Sequence, residues 1–316
     1  MTSWVLAEEG LFEVAGGRLA PVAIPRPSSW TSEAIAVDGA TVTVALAPDP
    51  NSLLLLRSPD GGASWTTGEP VSVASPTGLG DVRVAAIGQR IVVLGNEASG
   101  SQLSIALAAS SDDAGKGWTV ERAPSGGDVA AAGDRFWLVG GAMGDELFAS
   151  ASGSTWERLA IPVKDQFWTA ARPVGLKTGE VVVAVTAHSA DETEATLTFW
   201  ATSDGGRSWR PLGSIETPDP GFQLTVPAAI AADGRWLALW PDGSKVVSGR
   251  LGSAEQPTLV SPNGLPGAPL AAAFTPDGGA IAVVASSSCP SGKASCTSTT
   301  SLVFSADAGQ TWAPLR

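Results

Sequence analysis

Carboxylates in the predicted loops are the residues of this chain that could do acid–base chemistry. Cleavage of a glycosidic bond needs only two carboxyl groups, one to protonate the leaving oxygen and one to attack the sugar or activate water. The candidates are Asp49, Asp81, Glu97, Asp145, Asp165 and Asp219. None of them stands in a diagnostic motif, and a carboxylate in a surface loop is usually only solvated. The sequence therefore assigns no catalytic residue.

The densest acidic segment surrounds the only histidine. The segment HSADETEAT, residues 188–196, holds His188, Asp191, Glu192 and Glu194. These are metal-ligand types, but the segment lacks the glycine and the alternating oxygen ligands of a calcium loop. Because it connects two strand-like runs, we expect a solvated hairpin tip. We predict no metal site and no cofactor.

The two cysteines lie close together in a polar segment. Cys289 and Cys296 stand in SSSCPSGKASCTSTT, between two strand-like runs. A pair in one exposed loop predicts a local disulfide, which would stabilise the fold by at most ~2.5 kcal/mol through chain entropy. Disulfides persist in oxidising compartments. The N-terminal MTSWVLAEEGLFEV does not resemble a signal peptide, which leaves a cytoplasmic protein or one whose leader has been removed. Because of the disulfide we expect the second, an extracellular, cell-surface or periplasmic protein, with a cytoplasmic protein as the alternative.

Composition and charge narrow the class of partner. The chain has 316 residues, of which 44% are hydrophobic and 16% charged, which is typical of a globular protein. Its net charge of -12 repels a phosphate backbone, and no basic cluster offsets it, so we expect no nucleic-acid partner. No apolar run approaches the length of a membrane span, so no transmembrane segment is predicted. We expect a monomer.

One short turn recurs along the chain and ends each time in tryptophan. Full copies occupy residues 58–65, 111–118, 202–209 and 305–312, and the shorter SASGSTW of residues 150–156 lacks the aspartate. The aspartate can accept hydrogen bonds from backbone N–H groups, glycine takes the positive φ of the turn, and tryptophan packs its ring beneath it. We call these segments the aspartate turns and predict that they are structural. The residues concerned are Asp60, Trp65, Asp113, Trp118, Trp156, Asp204, Trp209, Asp307 and Trp312.

The pattern S-x-D-x-G-x-[ST]-W resembles the Asp-box, or bacterial neuraminidase repeat, of sialidase-like β-propellers. Through the repeats, the resemblance covers nearly the whole chain. It implies an all-β fold with one propeller domain over residues 1–316, built from four-stranded antiparallel blades with each aspartate turn between the third and fourth strands. Alternating apolar runs give six such units of the period expected for blades. The first thirty residues add three strands, with EVAGGRL (residues 13–19) in the place of an eroded turn. We predict seven blades, with six as the alternative.

The resemblance does not extend to sialidase chemistry. Sialidases use a tyrosine nucleophile to form the glycosyl intermediate, and this chain has no tyrosine. It also lacks the [FY]-R-[IV]-P segment of that family, because AIPRPSSW places Arg26 in the wrong order. Sialidase activity is therefore excluded.

The resemblance implies that ligands bind on the face opposite the aspartate turns, over the central channel. Trp30 and Trp168 each precede a predicted innermost strand, where a flat indole could stack on a sugar ring. The alternative is that both rings fill gaps between blades. The basic residues near the same face are Arg26, Arg83, Lys164 and Arg172. They would hold an anionic group or, alternatively, form ion pairs with the surplus carboxylates.

Two functions remain open on the sequence. The first is a non-catalytic, exported propeller that binds a protein or a glycan through its loop face. The alternative is a glycoside hydrolase or lyase that acts on a polysaccharide. An acidic, aromatic-lined pocket at the channel mouth would favour the enzyme, and a shallow apolar or charged surface would favour the binding protein.

Overall fold

The chain folds into seven antiparallel β-sheets arranged as the blades of a β-propeller. A computed structural model describes residues 3–7, 9–75, 77–97, 106–142, 144–163, 167–221, 224–288 and 297–315. Across these ranges the regular structure is entirely β. No helix in the described part of the chain is long and apolar enough to cross a membrane.

The first four blades follow one another along the chain. Blade 1 has three strands, β1 (Ser3–Ala7), β2 (Gly10–Ala15) and β3 (Arg18–Val22). Blade 2 has β4 (Ser32–Asp38), β5 (Thr41–Asp49), β6 (Ser52–Ser58) and β7 (Thr66–Thr67), and β8 (Val71–Ser72) also pairs with β6. Blade 3 has β9 (Leu79–Ile87), β10 (Arg90–Glu97), β11 (Ala106–Ser111) and β12 (Thr119–Arg122). Blade 4 has β13 (Gly127–Ala132), β14 (Arg135–Gly140), β15 (Glu146–Ser150) and β16 (Glu157–Leu159).

The last three blades complete the ring. Blade 5 has β17 (Trp168–Ala170), β18 (Val174–Gly175), β19 (Val181–His188), β20 (Glu194–Thr202) and β21 (Arg210–Pro218), with β17 and β18 both paired to β19. Blade 6 has β22 (Ala228–Ile230), β23 (Arg235–Leu239), β24 (Val246–Arg250) and β25 (Thr258–Val260). Blade 7 has β26 (Ala268–Phe274), β27 (Ala280–Ser288), β28 (Thr297–Ser305) and β29 (Ala313–Pro314).

The core lies between blades. Because successive side chains of a strand point to opposite faces, each blade packs against both of its neighbours. On β4, Ala34 and Ala36 join the cluster shared with blade 3, and Ile35 joins the cluster shared with blade 1. Six such hydrophobic clusters fill the interfaces from blades 1 and 2 through blades 6 and 7. The described residues form no cluster of this kind between blade 7 and blade 1.

The ring closes where blade 1 meets blade 7. Gly17 has φ +76°, and a Cβ there would lie 2.8 Å from the ring of Phe304, so a side chain would collide. Gly17 thus packs on the blade that precedes its own around the ring. The glycines of the aspartate turns do the same, as Gly309 of blade 7 does on Val246 of blade 6. The segment EVAGGRL therefore occupies the place of an aspartate turn, as predicted. It follows that β1, β2 and β3 take the second, third and fourth positions of their blade.

The aspartate turns have the predicted geometry. In the first, the Ser58 hydroxyl donates to Asp60 (2.8 Å), and Asp60 accepts the N–H (2.8 Å) and the hydroxyl (2.6 Å) of Ser64. Trp65 Nε1 donates to the Gly62 carbonyl at 3.1 Å. The turns at 111–118, 202–209 and 305–312 likewise place the first hydroxyl and a later backbone N–H on their aspartate. The tryptophans are less buried than the sequence suggests, because only the ring of Trp312 is almost fully enclosed and the other four are half-buried.

The aspartate turns share one face of the ring with the first-to-second strand turns. The Gly61 N–H donates to the Ala40 carbonyl (2.8 Å), and the Ala114 N–H donates to the Gln89 carbonyl (2.9 Å). We call this the turn face and the opposite side the loop face. The innermost strands β4, β9 and β13 begin at the loop face, so their first residues surround the channel mouth.

Candidate functional site

Six charged side chains gather at the loop-face end of the channel. We call them the mouth cluster: Arg26, Glu33, Asp81, Arg83, Asp128 and Arg172. They come from blades 2, 3, 4 and 5. Five of them lie before or in the loop-face half of β4, β9 or β13, and Arg172 lies between β17 and β18. An open cavity of about 340 Å³ lies among them. It is lined by Leu6, Ala7, Glu33, Ala34, Ile35, Arg83, Asp128 and Arg172.

Asp128 is the centre of the cluster because two guanidinium groups meet on it. Arg172 Nε lies 2.6 Å from one of its oxygens and Arg83 Nε lies 3.6 Å from the other. Arg83 also pairs with Asp81, and Arg172 Nη2 donates to the Val129 carbonyl at 3.1 Å. The two arginines are thereby fixed side by side while 37% and 49% of their side chains stay exposed.

Asn96 fixes the backbone that carries Asp128. Its Oδ1 accepts the Gly127 N–H (2.9 Å), and its Nδ2 donates to the Gly127 carbonyl (3.0 Å). Gly127 has φ +146°, and a Cβ there would lie 2.1 Å from the Val139 carbonyl oxygen, so this close approach requires glycine. Sequence reasoning missed Asn96. The available signal was a polar amide at the loop-face end of an apolar strand.

A break in the innermost strand of blade 5 places Arg172. β17 ends at Ala170 and β18 begins at Val174, with Pro173 in the gap. Proline lacks the N–H that a strand ladder needs, and it restricts the residue before it. Arg172 therefore leaves the sheet and reaches the neighbouring blade at Val129.

Arg26 and Glu33 form the most enclosed pair of the cluster. Arg26 Nη2 lies 2.8 Å from Glu33 Oε2, with 14% and 13% of the two side chains exposed. The Arg26 guanidinium also lies 4.7 Å from the centre of the Trp30 ring, a cation–π arrangement. Burial raises the pKa of Glu33 above its ordinary value because it disfavours the charged form, and the opposing attraction of Arg26 is the smaller effect.

The structure brings together three of the four predicted basic residues. Arg26, Arg83 and Arg172 lie at the mouth, and each is ion-paired with a carboxylate, which was the alternative interpretation. Lys164 lies outside the described residues. Trp30 and Trp168 are half-buried and pack against the clusters of blades 1 and 2 and of blades 4 and 5. A ligand role for either ring stays a prediction.

The remaining candidate residues have other partners. Asp219 is buried with His188, whose Nδ1 lies 2.9 Å from an Asp219 oxygen, and 2% and 3% of the two side chains are exposed. The prediction of a solvated tip is therefore wrong for His188, which is buried, whereas Asp191, Glu192 and Glu194 are exposed. Asp49 accepts hydrogen bonds within its own turn. Asp165, Cys289 and Cys296 lie outside the described residues, so the predicted disulfide stays a prediction.

The comparisons with known proteins agree on the fold. No protein-family model matches the sequence, and no curated protein does. A mutant of α-L-arabinofuranosidase Arb93A from Fusarium graminearum, in complex with an iminosugar inhibitor, is 11% identical, with a TM-score of 0.50 over 88% of this chain and 94% of that one. The GH74 xyloglucanase of Xanthomonas campestris is 15% identical, with a TM-score of 0.53 over 100% of this chain and 47% of that one, so this chain spans about half its length. KlAtg21 in complex with the coiled coil of AgAtg16 is 9% identical, with a TM-score of 0.55 over 91% and 98% of the two chains. At these identities the likeness concerns the fold alone, and the chain is a β-propeller.

Proposed function

We propose that the channel mouth binds a carbohydrate. The observation that carries the proposal is the mouth cluster, in which guanidinium donors alternate with carboxylate acceptors around one open cavity. Each sugar hydroxyl is both a donor and an acceptor, so such a site can satisfy neighbouring hydroxyls in pairs. Binding without turnover is the first candidate, because the carboxylates at the mouth have arginine partners.

The charge balance of the mouth supports this class of ligand. Three arginines and three carboxylates cancel there, whereas the whole chain carries a net charge of -12. Because its own charges cancel, the mouth repels an acidic sugar less than the acidic remainder of the surface does. The half-exposed faces of Arg83 and Arg172 leave N–H groups that can bind hydroxyl or carboxylate oxygens.

Isothermal titration calorimetry tests the proposal with a panel of arabinan, xyloglucan and polygalacturonate oligosaccharides. Charged hydrogen bonds of this kind contribute ~1.5–3 kcal/mol, so Arg172→Ala should weaken binding roughly 10- to 100-fold. Arg158→Ala is the matched control, because Arg158 is an exposed, ion-paired arginine on the outermost strand of blade 4. Equal affinities of the two variants, or no binding to any member of the panel, would count against a carbohydrate site.

Hydrolysis of the bound glycan is the second candidate, favoured by Glu33 and Asp128. Both carboxyl groups line the same cavity. Burial raises the pKa of Glu33, which suits a general acid, and Asp128 carries the second carboxylate of a two-carboxylate mechanism. Two of the solved structures that share the fold are carbohydrate-active enzymes. Release of new reducing ends from the same panel, abolished in Glu33→Gln while affinity persists, would establish hydrolysis. Affinity without product would leave the site a binding site.

We propose further that the aspartate turns make the chain an Asp-box propeller and that it works outside the cytoplasm. The hydrogen bonds of the four full turns support the first statement. The second rests on Cys289 and Cys296. Mass spectrometry of the protein from its native source, without reduction, should find the two cysteines linked, and free thiols would favour the cytoplasm.

A further inference from the structure

A cavity of about 790 Å³ opens on the outer rim of the ring, between blades 2 and 3. We call it the rim cavity. One wall is the outer part of blade 2, formed by β6 and residues 66–71, and the other is the aspartate turn of blade 3. Its volume is in the range of small-molecule sites. No described residue lines both the rim cavity and the mouth cavity, so the two are separate.

A β-bulge in the outer part of blade 2 shapes the first wall. β7 ends at Thr67 and β8 begins at Val71, although both pair with β6. Between them, Glu69 and Pro70 stand opposite the single residue Leu54, and an extra residue of this kind is a β-bulge. Proline has no N–H for the ladder, and a bulge bends the strand that contains it. The bulge therefore leaves Glu69 and Pro70, both exposed, at the cavity wall.

Part of the rim cavity is apolar. Leu55, Val71 and Trp118 line it and also belong to the hydrophobic cluster between blades 2 and 3. Trp118 is half-buried, and its single polar side-chain atom, Nε1, donates to the Gly115 carbonyl at 3.0 Å. Because that atom is already bonded, the indole presents an apolar surface to the cavity, and a flat apolar ring packs well on such a surface.

The charged residues of the lining favour an anion. Arg57 and Lys116 line the cavity together with one carboxylate, that of Glu69. Arg57 Nη2 donates to the Gly88 carbonyl at 2.7 Å, and neither Nε nor Nη1 has a hydrogen-bond partner among the described residues. Lys116 is exposed and forms no ion pair within the same part of the chain. Two cations against one carboxylate give the lining a positive balance on a protein whose net charge is -12.

We infer that the rim cavity binds a small organic anion with a flat apolar body, of the aryl carboxylate class. The carboxylate accepts hydrogen bonds from Arg57 and Lys116, and the ring packs against Trp118. A metal cation is a poor occupant, because it meets two positive side chains. A neutral apolar molecule is also a poor one, because it leaves the guanidinium N–H groups without an acceptor. The inference goes beyond the carbohydrate site, which lies on the loop face, and does not rest on it.

The interface between blades 5 and 6 supplies a control within the same molecule. A cavity of about 450 Å³ lies there and is lined by Lys177, Arg210 and Arg250, but by no aromatic side chain of the described residues. Arg210 is paired with Glu180 at 2.6 Å. This cavity has cations without an indole, so we expect no aryl carboxylate to bind there.

Isothermal titration calorimetry of the whole protein tests the inference with two probes, cinnamate and cinnamyl alcohol, which has the same flat body without the charge. Cinnamate should bind on the order of tenfold more tightly, because a hydrogen bond between charged groups is stronger than one to a neutral group. In Arg57→Gln this preference should disappear, since glutamine offers no positive charge to the carboxylate. Equal affinities of the two compounds for the parent protein, or no binding of cinnamate, would overturn the inference.

Two variants at exposed sites, with opposite effects on charge, keep the test independent of folding. Lys116→Ala removes a cation and should weaken cinnamate binding roughly threefold, whereas Glu69→Gln removes a carboxylate and should strengthen it by a similar factor. Neither side chain forms an ion pair in the described part of the chain, so both variants should melt like the parent.

Lys177→Ala is the matched control and should leave the affinity unchanged, because Lys177 is an exposed lysine of the other cavity. Shifts in the same direction for Lys116→Ala and Glu69→Gln, or an equal loss of affinity in Lys177→Ala, would contradict the rim cavity as the site.

Discussion

The tryptophan that closes the last aspartate turn should stabilise the fold more than the one that closes the first. Trp312 is 5% exposed and belongs to the cluster between blades 6 and 7, whereas Trp65 is half-buried. The difference has a local cause. Residues 263–264 lie on the last turn, where the Trp312 N–H donates to the Asn263 carbonyl at 2.8 Å.

The magnitude follows from the buried area. An enclosed indole removes roughly 200 Å² from water, which at about 25 cal/mol per Å² is ~5 kcal/mol, and truncation of buried tryptophan to alanine costs ~3–5 kcal/mol. Trp312→Ala also loses the hydrogen bond from Nε1 to the Gly309 carbonyl (2.9 Å). We expect ~4 kcal/mol for Trp312→Ala and about half of that for Trp65→Ala.

Equilibrium urea unfolding, followed by circular dichroism, measures both losses. The comparison is valid if the dependence of the unfolding free energy on urea is the same in both variants. An equal cost for the two substitutions, or a cost below ~1.5 kcal/mol for Trp312→Ala, would refute the reasoning from burial. Equal costs would mean that the burial of the ring does not set its contribution, and a low cost for Trp312→Ala would mean that the turn does not depend on the enclosed ring.

Three further measurements test the fold. Ala308 has φ +56°, at the position where the first turn has Gly61 with φ +67°. Because a left-handed backbone strains alanine and not glycine, Ala308→Gly should stabilise the protein by ~0.5–1 kcal/mol in the same urea assay. A loss of stability would contradict this. Hydrogen bonds from Ser64, and then from Ser58, lower the pKa of Asp60 from 3.8 to about 2. Because this pKa is depressed in the folded state, its stabilising effect is present above the unfolded value and is lost as the pH falls toward 2. The urea midpoint should drop over that window, and less steeply in Asp60→Asn. Truncation after residue 260 removes blade 7 and should open the ring, so a fragment as stable as the whole chain would contradict a single closed domain.

The sequence predicted the architecture because the architecture is repetitive. Four copies of one turn fix the period and the position of the third-to-fourth connection, and the structure confirms seven blades and the eroded turn at Gly16 and Gly17. The three strands predicted for the first thirty residues are the three that the described part of blade 1 contains.

The site was predicted less completely, because its chemistry depends on contacts between blades. Arg83 and Arg172 are 89 positions apart in the chain (172 − 83), and nothing in the sequence indicates that they meet on Asp128. Asn96 acts on the backbone of the next blade, a role that no local motif encodes. The burial of His188 with Asp219 was also missed, since His188 ends β19 and Asp219 follows β21, 31 positions further along the chain.

A crystal structure of the protein with the tightest-binding oligosaccharide of the panel would show where the ligand binds. We expect a sugar at the loop-face mouth, with hydroxyl or carboxylate oxygens within hydrogen-bond distance of Arg83, Asp128 and Arg172, and unchanged aspartate turns. A sugar bound on the turn face, against Asp60 or its counterparts, would contradict it and would mean that the repeated turns are the functional surface.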